Sequence, residues 1–181
     1  MKLEGDQIYL RLYKTSDASE LASLQTRNRE FFQRVSPLLP EAFYTEEYQK
    51  VRLQQALKKT DEGQLYPFGI FLKANDKLIG DISLTQITRG DLQSCYTGFT
   101  LDKEYNGKGY TTEALQLVVD FAFKELKLHR IEAGAMPDNI ASIRVLEKVG
   151  FKKEGIAKEN LRINGKWTDH QILAIINCLD V

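Results

Sequence analysis

The sequence is short of the residues that hold metals or covalent cross-links. Its 181 residues include two cysteines, Cys95 and Cys178, and two histidines, His129 and His170. Two cysteines cannot build a disulfide framework or a four-ligand zinc site, and two histidines cannot build a His-rich centre, so no metal is expected. Cys95 reads as a buried small hydrophobe, because no cationic neighbour in sequence lowers its pKa. Charge of one sign is also missing: Lys+Arg 25 balances Asp+Glu 25. Nucleic-acid binders usually carry a basic excess, so no nucleic-acid partner is expected. No apolar run approaches membrane-spanning length, and Glu4 and Asp6 sit where a signal peptide would need an apolar core. A soluble, cytoplasmic protein without a membrane partner is the expectation. Repeats and low-complexity tracts are lacking too. A chain of this length is expected to form one domain over 1–181 and needs no staple to bury a core.

What is present is alternation and helical periodicity. Ile8, Leu10 and Leu12 alternate as in a strand. Asp17 and Glu20 have the spacing of a capping box ahead of the stripe Leu21, Ala22 and Leu24. Residues 31–44 hold Pro37 and Pro40 among apolar residues, which predicts an irregular apolar loop that covers something. A second helix is expected from the cap Thr45 to about Thr60. Strands follow at 68–73 and 78–85, joined by a tight turn through Asn75 and Asp76. After a break at 88–91, Ser94 to Leu101 gives another strand, with Gly98 marking a bulge or a close backbone approach.

The second half changes character. A helix is expected over 111–126, a strand over 130–135, a helix over 140–149 and a strand from Phe151 to about Ala157. The last strand, Gln171 to Leu179, is almost wholly apolar and reads as central. The order β-α-α-β-β-β-α-β-α-β-β combines a meander with crossover units, which implies an α/β (mixed α+β) fold, one mixed sheet flanked by helices.

The most informative stretch is Asn106-Gly107-Lys108-Gly109-Tyr110-Thr111, between a strand and a strong helix. Glycines there let backbone N–H groups converge, and the helix dipole adds positive potential, a combination suited to phosphate. The same glycines could simply connect two elements. Two other phosphate motifs do not fit. No G-x-x-x-x-G-K-[ST] spacing exists, and a G-x-G-x-x-G starting at Gly107 meets Thr112 at its third glycine.

These residues resemble the acyl-CoA signature [Q/R]-x-x-G-x-[G/A] of the GNAT (Gcn5-related N-acetyltransferase) superfamily. A second match lies downstream in Asn139-Ile-Ala-Ser142, then Leu146-Glu-Lys-Val-Gly-Phe151 and Glu154-Gly155. That pattern is similar to the RimJ/RimL branch, which acetylates N-terminal α-amines of ribosomal proteins. The resemblance implies the GNAT fold with a mostly antiparallel central sheet, and acetyl-CoA as cosubstrate. It also implies a protein N-terminus, possibly of a ribosomal protein, or a small-molecule amine as acceptor, and a monomer or homodimer. Backbone amides from Asn106, Gly107, Lys108, Gly109, Tyr110 and Thr111 would cradle the CoA pyrophosphate. Backbone N–H groups near Phe99 to Leu101 would polarise the thioester carbonyl. Asn139 and Ser142 would lie beside the thioester, with Ser142 placed to protonate the leaving thiolate. Both have a local alternative: Asn139 is a good N-cap, and Ser142 a first-turn residue with only local hydrogen bonds.

The match has gaps. Asn106 replaces the usual Gln or Arg, Thr111 replaces a small residue, and Leu146 stands where many relatives carry a tyrosine acid. Tyr96 and Leu161 occupy positions where relatives carry a glutamate base. Glu159, two residues before Leu161, would share its strand face in an extended segment and is the candidate base. A weak base favours an α-amine acceptor. Its pKa lies roughly 2.5 below that of a lysine side chain, so deprotonation costs about 3.4 kcal/mol less. The other readings are a small-amine acetyltransferase on the same scaffold and an acyl-CoA-binding module without transfer. The acceptor wall is expected in the 31–44 loop and around Trp167.

Overall fold

The computed structural model describes residues 1–178. In chain order the elements are β1 (Lys2–Glu4), β2 (Ile8–Leu12), α1 (Ala18–Arg27), α2 (Arg29–Gln33), α3 (Glu46–Asp61), β3 (Tyr66–Leu72), β4 (Leu78–Thr88) and β5 (Ser94–Leu101). They continue as α4 (Tyr110–Lys124), β6 (Arg130–Ala135), α5 (Ile140–Val149), β7 (Lys152–Ile163) and β8 (Lys166–Ile176). The strands form one eight-stranded sheet in the order β1-β2-β3-β4-β5-β6-β8-β7. Every neighbouring pair is antiparallel except β5 and β6, which run parallel. A parallel pair needs a crossover, and the periodic stripe of α4 supplies it.

Alternation divides the sheet into two apolar faces. Ala114, Leu115, Val118, Phe121 and Ala122 of α4 pack with Ile8, Leu10, Phe68, Ile82, Ile131 and Leu173 in one buried cluster that also takes Ile143 and Leu146 of α5. Phe121 meets Phe68 edge to face at 5.6 Å between ring centroids, a favoured aromatic geometry. On the opposite face Leu21 and Leu24 of α1 and Leu53 of α3 pack with Tyr9, Tyr13, Phe71 and Leu78.

Several sequence expectations need correction. The chain has two short elements beyond the expected order, β1 and α2, and the second falls partly in the stretch 31–44 expected to be irregular. A further helical turn at Glu41–Tyr44 occupies its end. The capping box before α1 does not form. Asp17 accepts instead from the Lys14 amide at 2.7 Å and from Arg11, while Glu20 accepts from the Leu78 amide at 2.9 Å. Asp17 thus caps the turn before the helix, and Glu20 is drawn to a strand 58 residues away. The last strand begins earlier than expected and sits second from the sheet edge; its expected end, Leu179, lies outside the described residues. Strand β7 runs on to Ile163 because it forms a hairpin with β8, whose pairing skips from Ala157–His170 to Leu161–Thr168.

Asp102 joins the sheet to the glycine turn. Its buried carboxylate accepts from Arg27 Nε at 2.7 Å and from the Glu104 amide at 3.2 Å, which ties α1 to the end of β5. Burial pushes this carboxyl up, but Arg27 and the Glu104 amide together hold it below the usual carboxylate range. Asp17 is lowered in the same way by Arg11 and the Lys14 amide against burial. Lowered native pKa values mean stability that is present above the unfolded carboxylate pKa of about 4 and is lost as pH falls through the native values. Chemical denaturation from pH 6 down to pH 3 is therefore expected to show falling stability. Asp102→Asn should flatten part of that slope, and an unchanged slope would remove Asp102 from the account.

Candidate active site

The parallel ladder between β5 and β6 has only three pairs, Ser94–Arg130, Cys95–Ile131 and Tyr96–Glu132. Beyond them β5 continues to Leu101 and β6 to Ala135, so the two strands part and leave a wedge-shaped opening inside the sheet. A cleft of about 200 Å³ occupies it. Thr97, Gly98 and Phe99 line one wall and Ala133 to Met136 the other. Asn139 at the N-cap of α5 and Ser142 and Leu146 within it also line the cleft, and His170 and Val35 complete the lining. Gly98 marks neither a bulge nor a crowded contact, contrary to expectation. Its pairing with Ser83 is regular, and a Cβ built there meets nothing within 4 Å. The absent side chain leaves the cleft mouth open.

The cleft passes between two faces. Residues 95, 97, 99 and 101 of β5 point to the side covered by α4 and α5, where Cys95 and Leu101 are buried. Tyr96, Gly98 and Thr100 point to the other side. Gly134 and Ile172 are cross-strand partners and so share a face, and His170 shares it by alternation along β8. Asn139 and Ser142 therefore approach the cleft from the helix side, and His170 from the other.

Between the end of β5 and α4 lies the glycine turn. Gly107 and Gly109 have φ of +78° and +86°, values that a side chain rarely tolerates, and a Cβ on either would meet nothing within 4 Å. Gly109 is the N-cap of α4, whose first backbone bond runs from the Glu113 amide to the Gly109 carbonyl at 3.0 Å. The amides of Tyr110, Thr111 and Thr112 thus have no helical acceptor and face outward with the positive end of the helix dipole. Glu113, the acid of this first turn, is turned away, its carboxylate accepting from the Gln7 amide at 3.0 Å. Asn106, Gly107, Lys108 and Gly109 are exposed, and Lys108 Nζ rests 5.2 Å from the centre of the Tyr105 ring. Tyr105 and Tyr110 pack with ring centroids 6.4 Å apart. This open, uncrowded, donor-rich turn fits a pyrophosphate.

The structure brings Phe99, Asn139 and Ser142 to one cleft, and puts Leu101 at the end of the same strand and Asn106 to Thr111 in the connection from it to α4 and the first turn of that helix. It does not bring Glu159. That residue has φ of +46° in the irregular stretch of β7, where its amide donates to Asp169 Oδ1 at 3.0 Å. Two extra residues between Ala157 and Leu161 break the alternation on which the shared face rested, and Glu159 is exposed and absent from the cleft lining. Asn139 does act as an N-cap, its Oδ1 accepting from the Ser142 amide at 3.3 Å. That bond uses the serine backbone and leaves Ser142 Oγ without a protein partner among the described residues. Tyr96 is a poor base: burial, then Glu132, pushes its phenol above the ordinary value. Burial pushes the Cys95 thiol up to about 12, which keeps it protonated and unreactive. Sequence reasoning missed His170 because only the β6–β8 register brings the end of the chain to this cleft.

A larger cavity of about 290 Å³ lies under α3, lined by Tyr13, Arg52, Leu53, Asp81 and Ser83 among others. It contains neither the glycine turn nor any α5 residue. Among the described residues no group of His, Cys, Asp or Glu side chains could hold a metal. None of the described helices is long and apolar enough to cross a membrane.

Residues 7–152 match the family model described as an acetyltransferase (GNAT) domain. The chain belongs to the GNAT acetyltransferase family. It is 53% identical over 175 residues to a probable N-acetyltransferase, YjcK, of Bacillus subtilis, covering 97% of each chain. It is 31% identical to the ribosomal protein uS5-alanine N-acetyltransferase of Escherichia coli, over 97% of this chain and 90% of that one. Among solved structures, the ribosomal-protein-S5-alanine acetyltransferase of Vibrio fischeri superposes with a TM-score of 0.94 at 38% identity, covering 98% and 97% of the two chains. RimJ of Mycobacterium smegmatis, solved in complex with CoA-disulfide, gives 0.93 at 26% identity over 97% and 87%. The GNAT and RimJ/RimL resemblance read from Asn106–Thr111 and Asn139–Gly155 agrees with these matches.

Proposed function

We propose that this GNAT enzyme transfers acetyl from acetyl-CoA to the N-terminal α-amine of a protein, by direct attack in a ternary complex. The observation that carries the reading is the cleft between β5 and β6, lined from both faces of the sheet. Acetyl-CoA would enter from the α4–α5 side with its pyrophosphate on the amides of 107–111, and the amine from the other side. Pantetheine would pair with the free edge of β5 like an added strand. Amides near Phe99 to Leu101 would donate to the thioester oxygen as charge develops on it. Asn139 would hold the thioester with its side-chain NH2, and Ser142 Oγ–H would protonate the departing thiolate. The acceptor wall would be the loop around Val35 and the β7–β8 hairpin, which touch where the Asn164 amide donates to Ser36 O at 3.0 Å. Similarity to the two ribosomal-protein acetyltransferases supports a protein terminus as acceptor, and such an acceptor implies a cytoplasmic enzyme.

Mass spectrometry of one mixed pool tests this reading. The pool holds lysine-free peptides with free N-termini, N-blocked lysine peptides and common polyamines, with acetyl-CoA. Acetylation of the free N-termini alone is expected. Acetylation of polyamines alone would contradict the acceptor assignment, and no transfer would favour a binding module.

A further inference from the structure

The proposed transfer must remove a proton from the attacking nitrogen, and neither Glu159 nor Tyr96 is equipped to take it. We infer that His170 is the general base, its Nε2 facing the amine's side of the cleft; this inference rests on the acetyl-transfer reading above. His170 is 5% exposed and lines the same cleft as Ser142 and Asn139. Its Nδ1 lies 3.2 Å from the Thr168 carbonyl oxygen. A carbonyl only accepts, so Nδ1 carries the hydrogen, and in a neutral ring the lone pair then falls at Nε2. The ring lies against the bare backbone of Gly134, a cleft-lining residue: His170 Cδ2 and Cβ are 3.7 and 3.8 Å from the position of a Cβ built there. Among the described residues no protein group bonds Nε2.

The two proton carriers then sit on opposite sides of the reacting carbon. The amine lone pair forms the N–C bond to the thioester carbonyl, and the tetrahedral intermediate collapses with loss of the C–S bond. The nitrogen proton passes to His170 Nε2, the sulfur takes the Ser142 Oγ proton, and solvent exchange returns both residues to their starting states. The net change is amine plus acetyl-thioester to amide plus thiol. Histidine takes and releases protons near neutrality more readily than other side chains, so this arrangement supplies the base that the glutamate positions lack.

The test uses the full chain, acetyl-CoA and whichever amine of the pool the wild type acetylates. His170→Gln keeps a donor for the Thr168 carbonyl but offers no basic nitrogen. It is expected to lower kcat about 100-fold, within the usual range for loss of a general base, with acetyl-CoA affinity and melting temperature unchanged. His170→Ala leaves an imidazole-sized space open to the cleft, and added imidazole is expected to restore at least a tenth of the lost rate. Equal kcat in His170→Gln would overturn the inference. So would a loss that imidazole does not rescue, or one matched by a fall in acetyl-CoA affinity, since either assigns His170 a structural role. A wild type active on polyamines alone overturns the protein-terminus reading and leaves this test in force; a wild type inactive on every amine overturns both.

Discussion

Gly109→Val is expected to weaken acetyl-CoA binding about 100-fold or more while leaving the sheet intact. Two effects act together. The backbone at Gly109 has φ of +86°, where a β-branched side chain is strained by roughly 1–2 kcal/mol, so the N-cap of α4 must shift. The new Cβ also fills the open side of the turn on which a pyrophosphate would rest. Losing two amide bonds to a charged oxygen, each worth about 1.5 kcal/mol or more, already accounts for a factor near 100. Gly109 is exposed and a Cβ built there meets nothing within 4 Å, so the cluster of Leu115, Val118 and Phe68 should survive. Calorimetric titration with acetyl-CoA, beside a circular dichroism melt, checks both halves. Wild-type affinity in the variant would remove the phosphate-cradle assignment.

The second large effect is expected for Ser142→Ala. If Ser142 Oγ–H protonates the thiolate, kcat should fall about 100-fold, as for loss of a positioned acid. Binding of acetyl-CoA should change less than twofold. The variant separates chemistry from helix capping, because the cap bond runs from the Ser142 backbone amide to Asn139 Oδ1 and alanine keeps that amide. Stability is therefore expected to move by less than about 0.5 kcal/mol, the usual scale for a substitution away from such features. Full activity in Ser142→Ala would return the serine to a purely local role. Because Ser142 and His170 serve successive stages of one reaction through a shared intermediate, their combined variant should lose less than the product of the separate losses.

Legibility in the sequence followed the range of the physical signal. The apolar stripe of α4, the alternation in β2 to β5, and the glycines of 107–109 are local patterns, and the structure carries them at nearly the expected places. Gly107 and Gly109 were informative because their backbone angles demand glycine, a constraint visible in the residue type itself. What the sequence hid depends on register. The irregular pairing at Ala157–Leu161 takes Glu159 off the face that simple alternation assigns it. Asp17 and Glu20 look like a cap for α1, but Asp17 caps the turn before it through the Lys14 amide and pairs with Arg11, and Glu20 serves Leu78, a partner that only the fold brings close. His170 reaches the cleft because β8 inserts between β6 and β7, an order that no local period encodes. The splay of β5 from β6 is likewise a property of two strands whose paired residues lie 36 positions apart in sequence, as Ser94 and Arg130 do, and the open site at Gly98 follows from it.

The central claim is that acetyl-CoA occupies the gap between β5 and β6 with its phosphates on the turn before α4. Amide hydrogen exchange with and without acetyl-CoA tests it most directly. New protection is expected in 97–101, 107–112 and 133–139, with little change in α3 or in β3. Protection centred on the cavity under α3, around Leu53 and Asp81, with none at 107–112, would contradict it.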